Sequence, residues 1–342
     1  MRKQDLYTAA REGTFGLVEA GVLTHENLTR KNSSGNTPLH LAAKYGTLQQ
    51  LPAGLLTQEA LCLKNDAGYT PIHLAARNGH LDQVPAALLT RDNLLIRSNS
   101  GYTPLHQAAS AGALDQVPPG LLTAEIVLTK TDHGNTLLHE AAEAGSLDRF
   151  PARFITQSTL TIPNISGETV LHVAAFNGHL DQVPRDLLTE ETLLRKTANH
   201  DTCFHAAAIA GHLDQIPAEL LTHDNLVLAS KSGHTPIHAA AESGYIHQIP
   251  RERLTLDLLI SRNDFGDTPL HAAAVEGHLK DIPAQFMNRA TLTMRNYNGG
   301  TPIGAAIRHG YADQLPPEFI PKPPTALQKF LYRIGASRPP YS

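Results

Sequence analysis

The sequence predicts an all-α fold made of about ten copies of one 33-residue helical unit, and three observations carry that expectation. A glycine precedes a TPLH-like tetrapeptide at Gly35, Gly68, Gly101, Gly134, Gly167, Gly233, Gly266 and Gly299, in steps of 33 or, across one gap, 66, with His200 at the missing step. A second glycine series, Gly13, Gly46, Gly79, Gly112, Gly145, Gly178, Gly211, Gly244, Gly277 and Gly310, keeps the same period without a gap. Finally, a proline recurs at Pro52, Pro85, Pro118, Pro151, Pro184, Pro217, Pro250, Pro283 and Pro316. A fixed period of this length marks stacked copies of one unit rather than two or three globular domains.

Each part of the unit has a local reason. In GYTPIHLAARNG, residues 68 to 79, Thr70 caps a helix, Pro71 suits its first position because the missing N–H would be unpaired there, and Gly79 adopts the left-handed stop. The alanine pairs, such as Ala75 with Ala76, let neighbouring helices approach closely, and Ile72 and its equivalents face the core. Further along, the proline removes one helical hydrogen bond and clashes with the preceding turn, at about 3 kcal/mol in a helix interior. The expectation is a short turn over His80 to Val84, a new turn starting at Pro85, and a third piece after Thr90. Thr24, Thr57, Thr90, Thr123, Thr156, Thr189, Thr222 and Thr255 cap that third piece, usually with an acid two residues on that favours the helix start. Leu88, Leu89 and Leu94 supply its apolar anchors. Gln50, Gln83, Gln116, Gln182, Gln215, Gln248 and Gln314 stand two residues before the proline, where a side-chain amide is expected to satisfy carbonyls orphaned by the break.

Composition bounds the function. The chain has 342 residues, 41% hydrophobic and 18% charged, enough to bury a core. A formal net charge of −4 gives no global basic field, so nucleic acid is not an expected partner. The opening MRKQDLYTAAREG has no apolar signal core, and there is no run of about 18 apolar residues, so neither Sec-type secretion nor a membrane partner is expected, while export by a route without such a signal stays open. Cys62 and Cys203 lie too far apart for a disulfide framework, which fits a reducing, cytoplasmic setting. A monomer is expected.

The pattern resembles the ankyrin repeat over nearly the whole chain. The matching residues are TPLH at Thr37 to His40, Thr103 to His106 and Thr268 to His271, TPIH at Thr70 to His73 and Thr235 to His238, and the AAxxG after each. The resemblance implies a right-handed solenoid of antiparallel helix pairs joined by hairpin-like loops, with protein binding as its activity and no active site. This chain departs from the family pattern in its proline-interrupted second helix. Residues 1–33, which lack TP and the proline and open with the polar Arg2 and Gln4, read as an amino-terminal capping repeat. Residues 34–297 read as eight repeats, and 298–342 as the last repeat with a carboxy-terminal capping helix at TALQKFLYRIG, capped by Thr325 and apolar at Leu327, Phe330, Leu331 and Ile334.

Several residues invite a site. The TPLH histidines, His40 through His271, cannot share a metal, because equivalent residues stand one repeat apart, roughly 10 Å, whereas zinc needs ligands at about 2 Å. Their rings are expected to bond loop backbone, and His80, His179, His212 and His278 of the GH element to be structural too. Cys203, beside Phe204 and His205, is expected to be a buried structural thiol, because adjacent helical residues do not face each other. Its unit, with His200 for a glycine and Cys203 for a proline, is expected to be strained or specialised. No cofactor or metal is expected. Lys31, Lys64, Arg97, Lys130, Lys196, Arg262 and Arg295 occupy one position and form either a basic binding stripe or a stripe neutralised by the acids after the threonine caps, the second being favoured.

Ankyrin relatives typically bind through loop tips and the exposed, concave face of the first helix. Carried over here, the candidates are Tyr69, Tyr102 and His234 on loop tips, and Tyr45, Arg77, Phe176, Ile209, Glu242 and Val275 on the helix face. These positions vary while their neighbours repeat. Tyr69 with Tyr102, and Phe176 with Ile209, are the best anchors, because exposed aromatic and apolar groups carry interface energy. The expected function is a non-catalytic protein-binding scaffold. The alternatives are a structural repeat protein or an inhibitor that covers an enzyme, and less readily a hidden enzyme at the Cys203 unit.

Overall fold

A computed structural model describes residues 5–320. The first half of every repeat is a two-turn helix: α1 Leu6–Glu12, α2 Pro38–Tyr45, α3 Pro71–Arg77, α4 Pro104–Ser110, α5 Leu137–Ala144, α6 Val170–Asn177, α7 Cys203–Ala210, α8 Pro236–Glu242, α9 Pro269–Glu276 and α10 Pro302–His309. The start signal is a reciprocal pair: His73 N–H donates to Thr70 Oγ1 and Thr70 N–H donates to His73 Nδ1 (3.1 Å), with proline next to the cap. The stop is a left-handed glycine, as at Gly145, φ +70°, where a Cβ would also stand 2.7 Å from Nε2 of His179 in the next repeat. Leu39, Ile72, Leu105, Leu138, Leu171 and Phe204 are buried beneath the alanine pairs. Each such burial stabilises by about 1.5–3 kcal/mol.

The fold divides into two compact units, one ending at Ser232 and the next beginning at Gly233. In the first, α1 to α7 pack each on its successor; in the second, α8 packs on α9 and α9 on α10. Within each unit the first helices stack serially, in the manner of the ankyrin-type solenoid that the sequence predicts. The described residues hold no strand pairing beyond one bridge, Pro163 with Thr169, and no helix long and apolar enough to cross a membrane.

The second half of the repeat is not one helix. A 3-10 turn, Leu81–Gln83, runs into extended Val84; Pro85 (φ −51°, ψ 127°) opens a second 3-10 turn, Ala86–Leu88; and Thr90 caps a one-turn α-helix, Arg91–Leu94. These are the three pieces that the sequence predicts. The first repeat sharpens the cause, because Glu19, at the proline position, adopts φ −58° and ψ 131° between two 3-10 turns, Phe15–Leu17 and Ala20–Val22. The break therefore belongs to the architecture, and proline is the residue pre-set for it.

Two expectations about the joints are corrected. The glutamines do not cap their own break. Gln116 reaches back one repeat, donating from Nε2 to the Gly79 carbonyl (2.9 Å) and accepting at Oε1 from Leu81 N–H (2.8 Å). Gln182 does the same with Gly145 and Leu147, and Gln215 with Gly178 and Leu180. A planar amide matches a carbonyl and an N–H side by side, so each is a staple between repeats. Nor is the basic series neutralised by the threonine-cap acids: Lys31 donates to the Lys64 carbonyl (2.7 Å), Lys64 to that of Arg97 (2.8 Å), Arg97 to that of Lys130 (2.8 Å) and Lys130 to that of Pro163 (3.0 Å). Each cation ties its loop to the next backbone. The expected polar opening at Arg2 and Gln4 and the helix around Thr325 lie outside the described residues.

Candidate protein-binding surface

The last turn of each first helix is where the repeats differ and where side chains reach solvent. On α6 and α7 that turn carries Phe176 and Ile209, 52% and 50% exposed despite being apolar. They line a groove of about 220 Å³ together with Ala206. Residues three apart share a helix face, so Ala206 lies on the side of α7 that bears Ile209, a position held by Leu41, Leu74, Gln107, Glu140 and Val173 in the preceding repeats and by Ala239, Ala272 and Ala305 in the following ones. Within the unit that ends at Ser232, Ala206 is the smallest side chain at this position, which leaves room for the groove.

The rim is acidic. Glu168 and Asp201, from successive loop tips, line the same groove, and its lining holds no lysine or arginine. His172 stands beside them, but burial lowers its pKa and its ring is already used: Nδ1 lies 2.9 Å from Thr169 Oγ1 and Nε2 lies 3.2 Å from the Asp201 carbonyl. The next loop is itself unusual, since His200 holds φ +66°, the one positive-φ residue other than glycine among those described. For a non-glycine residue that conformation costs about 1–2 kcal/mol.

The other expected site residues are placed less uniformly. Tyr45 is exposed, with Lys44 Nζ 5.2 Å above its ring, and Arg77 is exposed on its own helix end. Tyr69 and Tyr102 are half-buried, because each ring stands edge-on to a histidine of its own repeat, His73 at 5.4 Å and His106 at 6.1 Å. Their backbone carbonyls take His40 Nε2 and His73 Nε2. His234 and Glu242 meet at 3.0 Å, and Val275 is half-buried. The structure thus brings together Phe176 with Ile209, and His234 with Glu242.

Burial holds the TPLH histidines neutral, with His40, His73, His106, His139 and His238 all lowered to about 4. Nδ1 accepts from the threonine N–H, so the proton assigned to Nε2 is donated to the next loop, as His139 does to the Glu168 carbonyl (3.2 Å). These rings are structural ties, as the sequence indicates. Among the described residues no cluster of three or more His, Cys, Asp or Glu is placed to hold a metal. Cys203 is buried, and burial pushes its thiol far up, away from the reactive thiolate.

Sequence reasoning missed Glu140. It occupies the Ala206 position on α5, is 5% exposed, and burial raises it to about 7 while Asn135 Nδ2 donates to its Oε1 (3.1 Å). The available signal was one acid where equivalents are Leu41, Leu74, Gln107 and Val173. Also missed were exposed Ile165, Phe265 and Tyr297 at loop tips that are small or polar in other repeats. A second cavity of about 550 Å³ lies in the other unit, between Ile249, Leu254, Pro283 and Phe286.

Residues 6–88 and residues 49–122 each match the family described as ankyrin repeats (three copies). No curated protein matches the chain.

Proposed function

Taking as premise that this chain carries ankyrin repeats, we propose that it is a non-catalytic scaffold that binds a protein partner through its loop tips and first-helix face. Ankyrin repeats are generally protein-interaction scaffolds. The observation that carries the specific reading is Phe176 with Ile209: two large apolar side chains held half in water on helices whose other faces are locked. Leaving such groups exposed forfeits burial worth about 1.5–3 kcal/mol each, and a partner that covers them recovers it. The staples and histidine ties keep the scaffold rigid, so binding loses little to reordering. The protein acts as a monomer in the cytoplasm, without cofactor, nucleic acid or membrane.

The test is capture of protein partners by the immobilised full chain, followed by alanine substitution at Tyr69, Tyr102, Phe176 and Ile209. Loss of capture by the Phe176 and Ile209 variants supports this reading. Undiminished capture by all four variants sinks it.

A further inference from the structure

We propose that the groove between α6 and α7 receives an extended segment of a partner protein in which one large aliphatic or aromatic side chain stands close to a lysine or arginine. This rests on the scaffold reading and adds the chemistry of the occupant.

The floor sets the first requirement. Phe176, Ile209 and Ala206 are apolar, and a volume of about 220 Å³ falls below the range of about 300–1,000 Å³ typical of pockets for whole small molecules. It suits one side chain. The rim sets the second. Glu168 and Asp201 face that space with no lysine or arginine in the lining, and the nearby His172 ring is neutral and committed to Thr169 and the Asp201 carbonyl. Glu168 keeps only a neutral partner, Asn164 Nδ2 at 3.0 Å. A cation beside the apolar anchor is what these carboxylates lack, and an acidic segment or a nucleic acid is repelled.

The acidic side of the groove continues away from α7. Helix α5, which packs on α6, presents the exposed Glu143 at the Phe176 position. Packed helices stand about 8–10 Å apart, and an extended chain advances about 3.3 Å per residue. A basic residue about three positions from the anchor therefore comes over α5, and one directly beside the anchor meets Glu168 or Asp201. The occupant is thus an apolar anchor with basic residues within about three or four positions.

Selection of a phage-displayed random peptide library on the immobilised full chain tests this. The expected winners pair Phe, Leu, Ile or Trp with Lys or Arg at that spacing and weaken with added salt. Phe176→Ala and Ile209→Ala should each weaken them about tenfold or more. The double variant Glu168→Lys, Asp201→Lys should lose them and select acidic peptides instead. Thermal unfolding of each variant separates loss of binding from loss of fold. Winners that are acidic or uncharged, or that bind all variants equally, overturn the proposal. If peptides bind but respond only to Tyr69→Ala or Tyr102→Ala, the groove is wrong while the scaffold reading stands. A library yielding no binder overturns both.

Discussion

Acidifying the protein from pH 7 to pH 5 should remove much of its stability through the buried TPLH histidines. In the unit ending at Ser232, His40, His73, His106 and His139 are held at about 4 by burial, against an ordinary value of about 6.5. A depressed folded value means that the unfolded chain takes the proton first. The stabilisation is therefore full above about 6.5, drains as pH falls from 6.5 towards 4, and levels off below. Each histidine loses on the order of 2 kcal/mol between pH 7 and pH 5. Glu140, raised to about 7 by burial, works in the opposite sense over the same window and offsets about one of the four. The net loss is about 5 kcal/mol, as much as the whole stability of a marginal domain. Urea unfolding followed by circular dichroism at pH 7, 6 and 5 reads this directly as a falling midpoint. A midpoint unchanged over that range, or NMR signals of the His40, His73, His106 and His139 imidazoles titrating near 6.5, would refute the reasoning.

The joints give further tests. Gln116→Ala should destabilise by about 1–3 kcal/mol, because it strands the Leu81 N–H and the Gly79 carbonyl. Gln83→Ala should cost clearly less, since Gln83 Oε1 is buried without a partner; equal denaturation midpoints for the two variants would contradict the staple. Pro85→Ala should cost only about 0.4–1 kcal/mol and leave helical ellipticity unchanged, since Glu19 takes the same path without proline. A gain in ellipticity would show that proline itself breaks a helix. His200→Gly should stabilise by about 1 kcal/mol in chemical denaturation, because the backbone there is left-handed. Thiol titration of the native chain should leave Cys203 unreacted until unfolding.

What could be read in the chain and what could not divides along the distance over which each residue acts. Thr70, Pro71 and Gly79 act within their own turn, so the first helices and their stops were legible, as were the three pieces around Pro85. Gln116 acts on residues 35 and 37 positions earlier, and a repeated polar residue beside a repeated break pointed to the wrong carbonyls. Lys31 failed likewise, because its partner is the backbone of the next repeat and not a charge. The loop-tip position of Tyr69 suggested exposure, but its ring lies against His73. At the groove, Phe176 and Ile209 were legible as departures from the repeat, whereas the opening left by Ala206 and the burial of Glu140 depend on neighbouring helices.

The most direct test of the central claim is amide hydrogen exchange of the full chain with and without a captured protein partner. Binding at the first-helix face slows exchange in the loop tips and first helices, foremost over residues 164–177 and 197–210, and leaves the 3-10 turns Leu180–Gln182 and Arg185–Leu187 unchanged. Protection confined to those 3-10 turns and their equivalents, with α6 and α7 exchanging as in the free protein, would contradict it.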